Sequence, residues 1–189
     1  MAFQTATATD YKDLLAQLRT FAVANGCTSL RYTTGDTDEF IFKTAGNLFA
    51  GIRTYYDTGA GYYNFEIRGF TGFDTTLGFT SQPGISPAHY TPLQNSTMTY
   101  WLTVNDRAVN LFVKTGSAYQ CVITCLLDTY GSNAANDYPY PACIMGVTNS
   151  RATLYSSNSL ELASTVNPQS QNASVYFIDN AWRYLHNYS

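Results

Sequence analysis

The sequence predicts an α+β domain that is mostly β, with an N-terminal helix packed on an antiparallel β-sandwich or barrel. Three observations carry this. Short runs rich in Val, Ile, Phe, Tyr and Thr recur along most of the chain. Gly, Asp, Asn and Pro separate them at close intervals. Only one stretch, near the start, has helical spacing. A length of 189 residues fits one domain, long enough to bury about 70% of its unfolded surface.

Residues 1–8 are small and polar apart from Phe3, and are expected to form an N-terminal arm ahead of a single β-rich domain, 9–189. Thr9-Asp10 is a helix N-cap signal, and Asp13 completes a start like a capping box. Leu14, Leu15, Leu18, Phe21 and Ala22 recur on one helical face, and Asn25-Gly26 is a stop, so a helix is expected over 10–25. Its apolar stripe needs a partner, most simply one face of a sheet.

Strands are expected at 28–33, 39–44, 49–56, 62–70, 98–104, 109–115 and 119–127, with later ones near 144–145, 153–156 and 174–178. Gly35-Asp36, Asp57-Thr58-Gly59, Asn105-Asp106 and Gly116-Ser117 are the turn signals between neighbours. Residues 72–95 hold three prolines and three glycines with little periodicity. They are expected to form a long loop that, with the 1–8 arm, packs poorly on its own chain and makes contacts between subunits. A second irregular stretch, 131–142, carries Tyr138-Pro139-Tyr140-Pro141, whose prolines fix an extended path over a sheet end. Trp101 and Tyr119 are expected to share a core with the helix.

Charged residues are only 12% of the chain, aromatics 15%, and sixteen residues are tyrosine. Low charge leaves little to keep identical surfaces apart, and Tyr suits contacts that are partly wet, so the composition points to a packed assembly. The bland alternative is that the tyrosines line the outer faces of strands, which they favour intrinsically. Net charge is −3 with no basic run, so no field draws nucleic acid. No apolar stretch has the length of a membrane-spanning helix, and no secretory leader pattern opens the chain. Synthesis in a cytoplasm is expected.

A search for catalytic and binding chemistry returns weak signals. His89 and His186 are the only histidines, no nucleophile elbow occurs, and His89 is expected to be an exposed loop residue. Asp36, Asp38 and Glu39 cluster without the alternating oxygen ligands of a calcium loop, so a solvated turn is expected. Gly59-Ala60-Gly61 lacks the lysine of a phosphate-binding loop and reads as a hairpin turn. Catalytic residues, metal ligands and cofactors are therefore not assigned. Of four cysteines, Cys121 and Cys125 share a strand face about 13 Å apart, too far for a disulfide. Cys27 and Cys143 sit near element ends. They are candidates for a disulfide between segments or subunits, against the alternative that all four thiols simply pack.

One block is more specific. Tyr100-Trp101-Leu102-Thr103-Val104-Asn105-Asp106-Arg107 leads into a valine-bearing strand, a strand with Tyr119, and Tyr138-Pro139-Tyr140-Pro141. This order resembles a family of tailed-bacteriophage virion proteins, in which Tyr-Trp leads through Asn-Asp-Arg to a Tyr-Pro-Tyr-Pro loop. The opening (Met1–Thr5 and Thr9–Leu15), residues 51–55, and Gly61–Phe70 join the resemblance, which spans roughly three quarters of the chain. Ala108 stands where a second arginine is common. Cys125-Leu126-Leu127 replaces a glycine-bearing stretch, and Met145-Gly146 a glycine pair, so local turn geometry departs from the family.

The resemblance implies a non-enzymatic virion component, a multimeric neck, collar or tail subunit made in the host cytoplasm. Its implied partners are other copies of itself and other phage neck, tail or baseplate proteins, with no direct contact to nucleic acid or membrane. The alternative is a receptor- or glycan-binding module on the tail or baseplate, stacking sugars on Trp101, Trp182, Tyr62, Tyr63, Tyr138 and Tyr140. A third possibility is a capsid decoration protein.

Overall fold

A computed structural model describes residues 1–58, 61–127, 142–147, 173–176 and 181–184. Two antiparallel sheets pack as a sandwich with one helix, as the sequence predicts. The first sheet has the order β1-β7-β8-β9-β10-β11-β12, and the second β2-β3-β4-β5-β6. In chain order the strands are β1 (Ala2–Ala8), β2 (Thr28–Thr33), β3 (Glu39–Lys43), β4 (Phe49–Asp57), β5 (Tyr62–Phe70) and β6 (His89–Leu93), followed by β7 (Met98–Val104), β8 (Ala108–Thr115), β9 (Ala118–Leu126), β10 (Ala142–Met145), β11 (Ala173–Tyr176) and β12 (Trp182–Tyr184). All four predicted turn signals join hydrogen-bonded neighbours. The 138–141 motif, His186 and the strand expected at 153–156 lie outside the described residues.

Helix α1 (Tyr11–Ala24) begins where its cap chemistry says it must. Asp10 accepts from the backbone of Lys12 and Asp13, both at 2.8 Å, while Asp13 Oδ2 reaches back to the Thr9 N–H at 2.8 Å. Gly26 then takes φ +97°, the left-handed geometry that ends a helix. The apolar stripe does not lie on a single sheet face, as expected from sequence. It touches β1 and β7 of one sheet and β2, β4 and β5 of the other, so α1 is wedged between the layers. Leu14, Leu15 and Leu18 join Phe40, Phe42, Ile52, Phe65 and Ile67 from one sheet with Tyr100, Leu102, Leu111 and Val122 from the other. Burying each such side chain contributes about 1.5–3 kcal/mol.

Residues 1–8 are not a free arm. Ala2–Ala8 pairs along its full length with β7, from Ala2 opposite Val104 to Ala8 opposite Met98. The Thr-rich sequence alternates small inward residues (Ala2, Gln4, Ala6, Ala8) with outward ones, and short polar strands escape a reading based on apolar periodicity.

Residues 71–88 correct a second expectation. They close over the outer face of the β2–β6 sheet with a small core of their own, in which Phe79 meets Ile41 and Phe70, flanked by Leu30, Phe49, Phe73 and Ile85. Buried Gln82 acts as an internal strut, accepting from Asp74 N–H at 2.9 Å and donating to the carbonyls of Asp74 (3.0 Å) and Leu77 (2.7 Å). Gly51 makes room for the cover, since a Cβ there would lie 2.8 Å from both the Phe70 and Phe79 rings. Beneath the same cover, Glu66 is fully buried. Arg53 holds its Oε2 at 2.9 and 3.1 Å, and Arg68 Nε holds its Oε1 at 2.8 Å.

Candidate functional site

Among the described residues, four strands end the two sheets: β1 and β12 in one, β2 and β6 in the other. An end strand presents unpaired N–H and C=O groups, and proteins usually blunt it with charge, bulges, proline or a covering segment. β2 has a bulge between Ser29 and Arg31, and the Arg31 guanidinium is tied to the carbonyls of Leu77 (2.7 Å) and Thr75 (3.3 Å). β6 contains Pro92, and its Tyr90 carbonyl accepts from Val147 N–H at 2.8 Å. β12 is three residues long. β1 has no charge, bulge or proline: it is seven residues of Ala, Phe, Gln and Thr, paired in unbroken register.

Which backbone groups of β1 are open follows from the hairpin at Asn105-Asp106. Asn105 N–H donates to Ala108 C=O at 3.0 Å, closing the β7–β8 ladder there. Antiparallel pairs alternate between bonded and non-bonded, so Met98, Tyr100, Leu102 and Val104 turn their backbone groups toward β1. Their partners Ala8, Ala6, Gln4 and Ala2 are thereby satisfied, and Phe3, Thr5 and Thr7 face outward. The Thr7 carbonyl indeed accepts from Gln17 Nε2 of α1, at 3.2 Å. Among the described residues nothing else bonds to this edge. Phe3 is 62% exposed, and Thr5 and Thr7 are exposed beside it.

The motif residues organise this end of the molecule. Asn105 Oδ1 accepts from Arg107 N–H at 2.8 Å, fixing the turn. The Asp106 carbonyl accepts from Gly46 N–H at 2.6 Å, which ties the β7–β8 turn to the β3–β4 turn of the other sheet. Arg107 accepts from Leu126 N–H through its carbonyl (2.8 Å) and donates from its guanidinium to the Leu127 carbonyl (2.7 Å). The Asn-Asp-Arg block is thus a clasp between the two layers. A shallow concavity of about 420 Å³ opens beside it, lined by Met1, Ala2, Asn25, Val104, Asn105 and Asp106.

Trp101 and Tyr119 do not share a core with α1. Strand alternation puts them on the outer face, with ring centroids 6.0 Å apart and Tyr119 43% exposed. The inward position belongs to Tyr100, whose hydroxyl donates to Gln17 of α1 and accepts from Gln4 Nε2 at 2.8 Å. Of the six aromatics expected to form a sugar-binding face, Tyr138 and Tyr140 lie outside the described residues, and the other four do not come together. Tyr63 stacks on Tyr56 and meets Tyr11 at a tilt, and Trp182 packs on the interlayer core with its Nε1 donating to the Gly84 carbonyl at 2.6 Å.

Two expectations about polar groups are also corrected. His89 is a fully buried residue of β6, not an exposed loop group, and its Nε2 lies 2.8 Å from Ser174 Oγ on β11. Burial, with Arg68 nearby, pushes its pKa down to about 3. Asp38 is likewise buried rather than solvated, accepting from Gly35 N–H at 2.9 Å and lying 3.8 Å from Lys12 Nζ. Among the described residues no three His, Cys, Asp or Glu side chains converge as metal ligands would.

All four cysteines are free thiols. Cys27 is in the interlayer core and Cys143 is on the outer face of the other sheet, so one chain does not bring them together. Instead Cys143 lies directly opposite Cys125. Sequence reasoning missed this pair because the segment between them carries no signal that sets the register of β10. Compared with known proteins, the chain matches no protein-family model and no curated protein.

Proposed function

We propose that the chain is a non-enzymatic structural subunit of a tailed-bacteriophage virion, in the neck, collar or tail, that pairs with further copies of itself through β1. The observation that carries this is the open edge: three outward residues with no charge and no bulge, which the described residues contact only through the Gln17 bond to the Thr7 carbonyl. β7 behind it is also uncharged, so two copies of a chain of net charge −3 meet there without like-charge repulsion. The register is self-complementary. With Thr5 opposite its own equivalent across a two-fold axis, Phe3 falls opposite Thr7 on both sides, and the two Thr5 residues exchange their outward N–H and C=O groups. The placement within a virion is supported by the resemblance of the Tyr100–Arg107 block and its companions, and by the low charge. Partners are other copies and adjoining neck, tail or baseplate proteins. Direct contact with nucleic acid or membrane is not part of the role, in keeping with the absence of any basic run. Synthesis takes place in the host cytoplasm.

Quantitative mass spectrometry of purified particles tests this directly. A fixed copy number matching a ring or stacked rings is expected, and absence from washed particles would refute the role. A second reading, a glycan-binding module on the tail or baseplate, is favoured by the Trp101–Tyr119 pair on the open face, since such rings stack on sugars. A glycan array separates the two: saturable binding lost on Tyr119→Ala would favour the second.

A further inference from the structure

We propose that Cys125 and Cys143 are a dithiol site that reacts with small-molecule disulfides and closes to a cross-strand disulfide, stapling β10 to β9. The two residues are direct partners in the β9–β10 ladder. Alternation from the Gly116-Ser117 turn makes theirs a bonded pair, for which Cα atoms stand about 5.5 Å apart, inside the range a disulfide spans. Both side chains point to the outer face of the sheet, since Ala142, Ile144 and Val122 on the same strands belong to the interlayer core.

The two thiols are not equivalent. Cys125 is half-buried and near Arg107, and the hydrogen bond from Cys143 together with that guanidinium favours its thiolate. Cys143 is buried, and donating to Cys125 holds its own proton on. Cys125 is therefore the attacking sulfur and Cys143 the resolving one. The Cys125 thiolate attacks one sulfur of a reagent R–S–S–R, forming a mixed disulfide and releasing one thiolate. Cys143 then gives up its proton and attacks the Cys125 sulfur, releasing the second. Two protein thiols lose two protons and two electrons, and the reagent is reduced to two thiols. Among the described residues no cysteine stands opposite Cys27 or Cys121. Burial raises each of their pKa values to about 11, which keeps them protonated.

The product would fasten the end of the sheet built from the shortest strands, of four, four and three residues. The folded protein is incubated with oxidised glutathione, quenched with an alkylating agent and digested for mass spectrometry. A Cys125–Cys143 linked peptide is expected, with Cys27 and Cys121 alkylated after denaturation and no covalent dimer on a non-reducing gel. Cys143→Ser should stop at a glutathionyl adduct on Cys125, whereas Cys125→Ser should leave Cys143 unmodified. The linked form should melt roughly 5 °C higher. Four alkylated cysteines in the wild-type protein, a different pairing, or a disulfide between chains would overturn the proposal.

Discussion

The two sheets treat their outward sides in opposite ways. The β2–β6 sheet is sealed by its own chain: residues 71–88 bring Phe73, Phe79 and Ile85 over Ile41 and Phe70, and both its edges are bulged, tied or bonded over. Among the described residues the β1–β7 end of the other sheet is left open, with Phe3 exposed and the backbone groups of Phe3 and Thr5 turned outward. The sealed side has charge and proline at its edges, and the open side has neither. That contrast is the ground for the proposed pairing of copies through β1.

Breaking the seal should have the largest effect. Glu66→Ala leaves two arginines facing each other in a buried site, and should destabilise the protein by about 3–5 kcal/mol in urea unfolding. Glu66→Gln should cost less, as it keeps a hydrogen-bond acceptor. A loss below about 1 kcal/mol for the alanine variant would mean the cover is not held from beneath.

The seam between β6 and β11 gives a pH test. His89 is held neutral in the fold but protonates freely in the unfolded chain, so unfolding takes up a proton below pH 6.5. Stability is complete above that pH and falls as pH drops from 6.5 toward 3, by about 2 kcal/mol at pH 5. His89→Gln should flatten the profile between pH 6.5 and 5, above the range where ordinary carboxylates titrate. An unchanged slope would assign the pH dependence to other groups.

On the open face the effects should be small. Trp101→Ala is expected to cost about 1–2 kcal/mol, well under the 3–5 typical of a core aromatic, and Tyr119→Ala less than about 1 kcal/mol. A core-sized loss at Trp101 would mean that this face is covered.

These contrasts also show what was legible in the sequence. The helix, with its caps at Asp10 and Asn25, the hairpin turns and the sandwich class could all be read, because each depends on neighbours within a few residues. The β1 strand could not, since Ala-Phe-Gln-Thr-Ala-Thr-Ala has little apolar periodicity and is held by β7, far along the chain. The same limit explains Trp101 and Tyr100. Adjacent aromatics on a strand point to opposite faces, and only tertiary packing decides which ring is buried. His89 and Asp38 looked like loop groups because proline, glycine and acidic neighbours mark turns but say nothing about burial. The Cys125–Cys143 pair depends on a long-range register that no local signal encodes.

The open edge itself is tested most directly by a proline pair in β1. Thr5 turns its N–H outward, so Thr5→Pro removes a group that only a second copy would use, while Gln4→Pro removes a bond to β7. Light scattering across a concentration series, alongside thermal melting, measures both consequences. Wild-type protein should self-associate. Thr5→Pro should remain monomeric with a melting temperature near that of wild type, and Gln4→Pro should melt markedly lower. Thr5→Pro protein that folds and assembles as wild type does would contradict the assignment of β1 as the contact between copies.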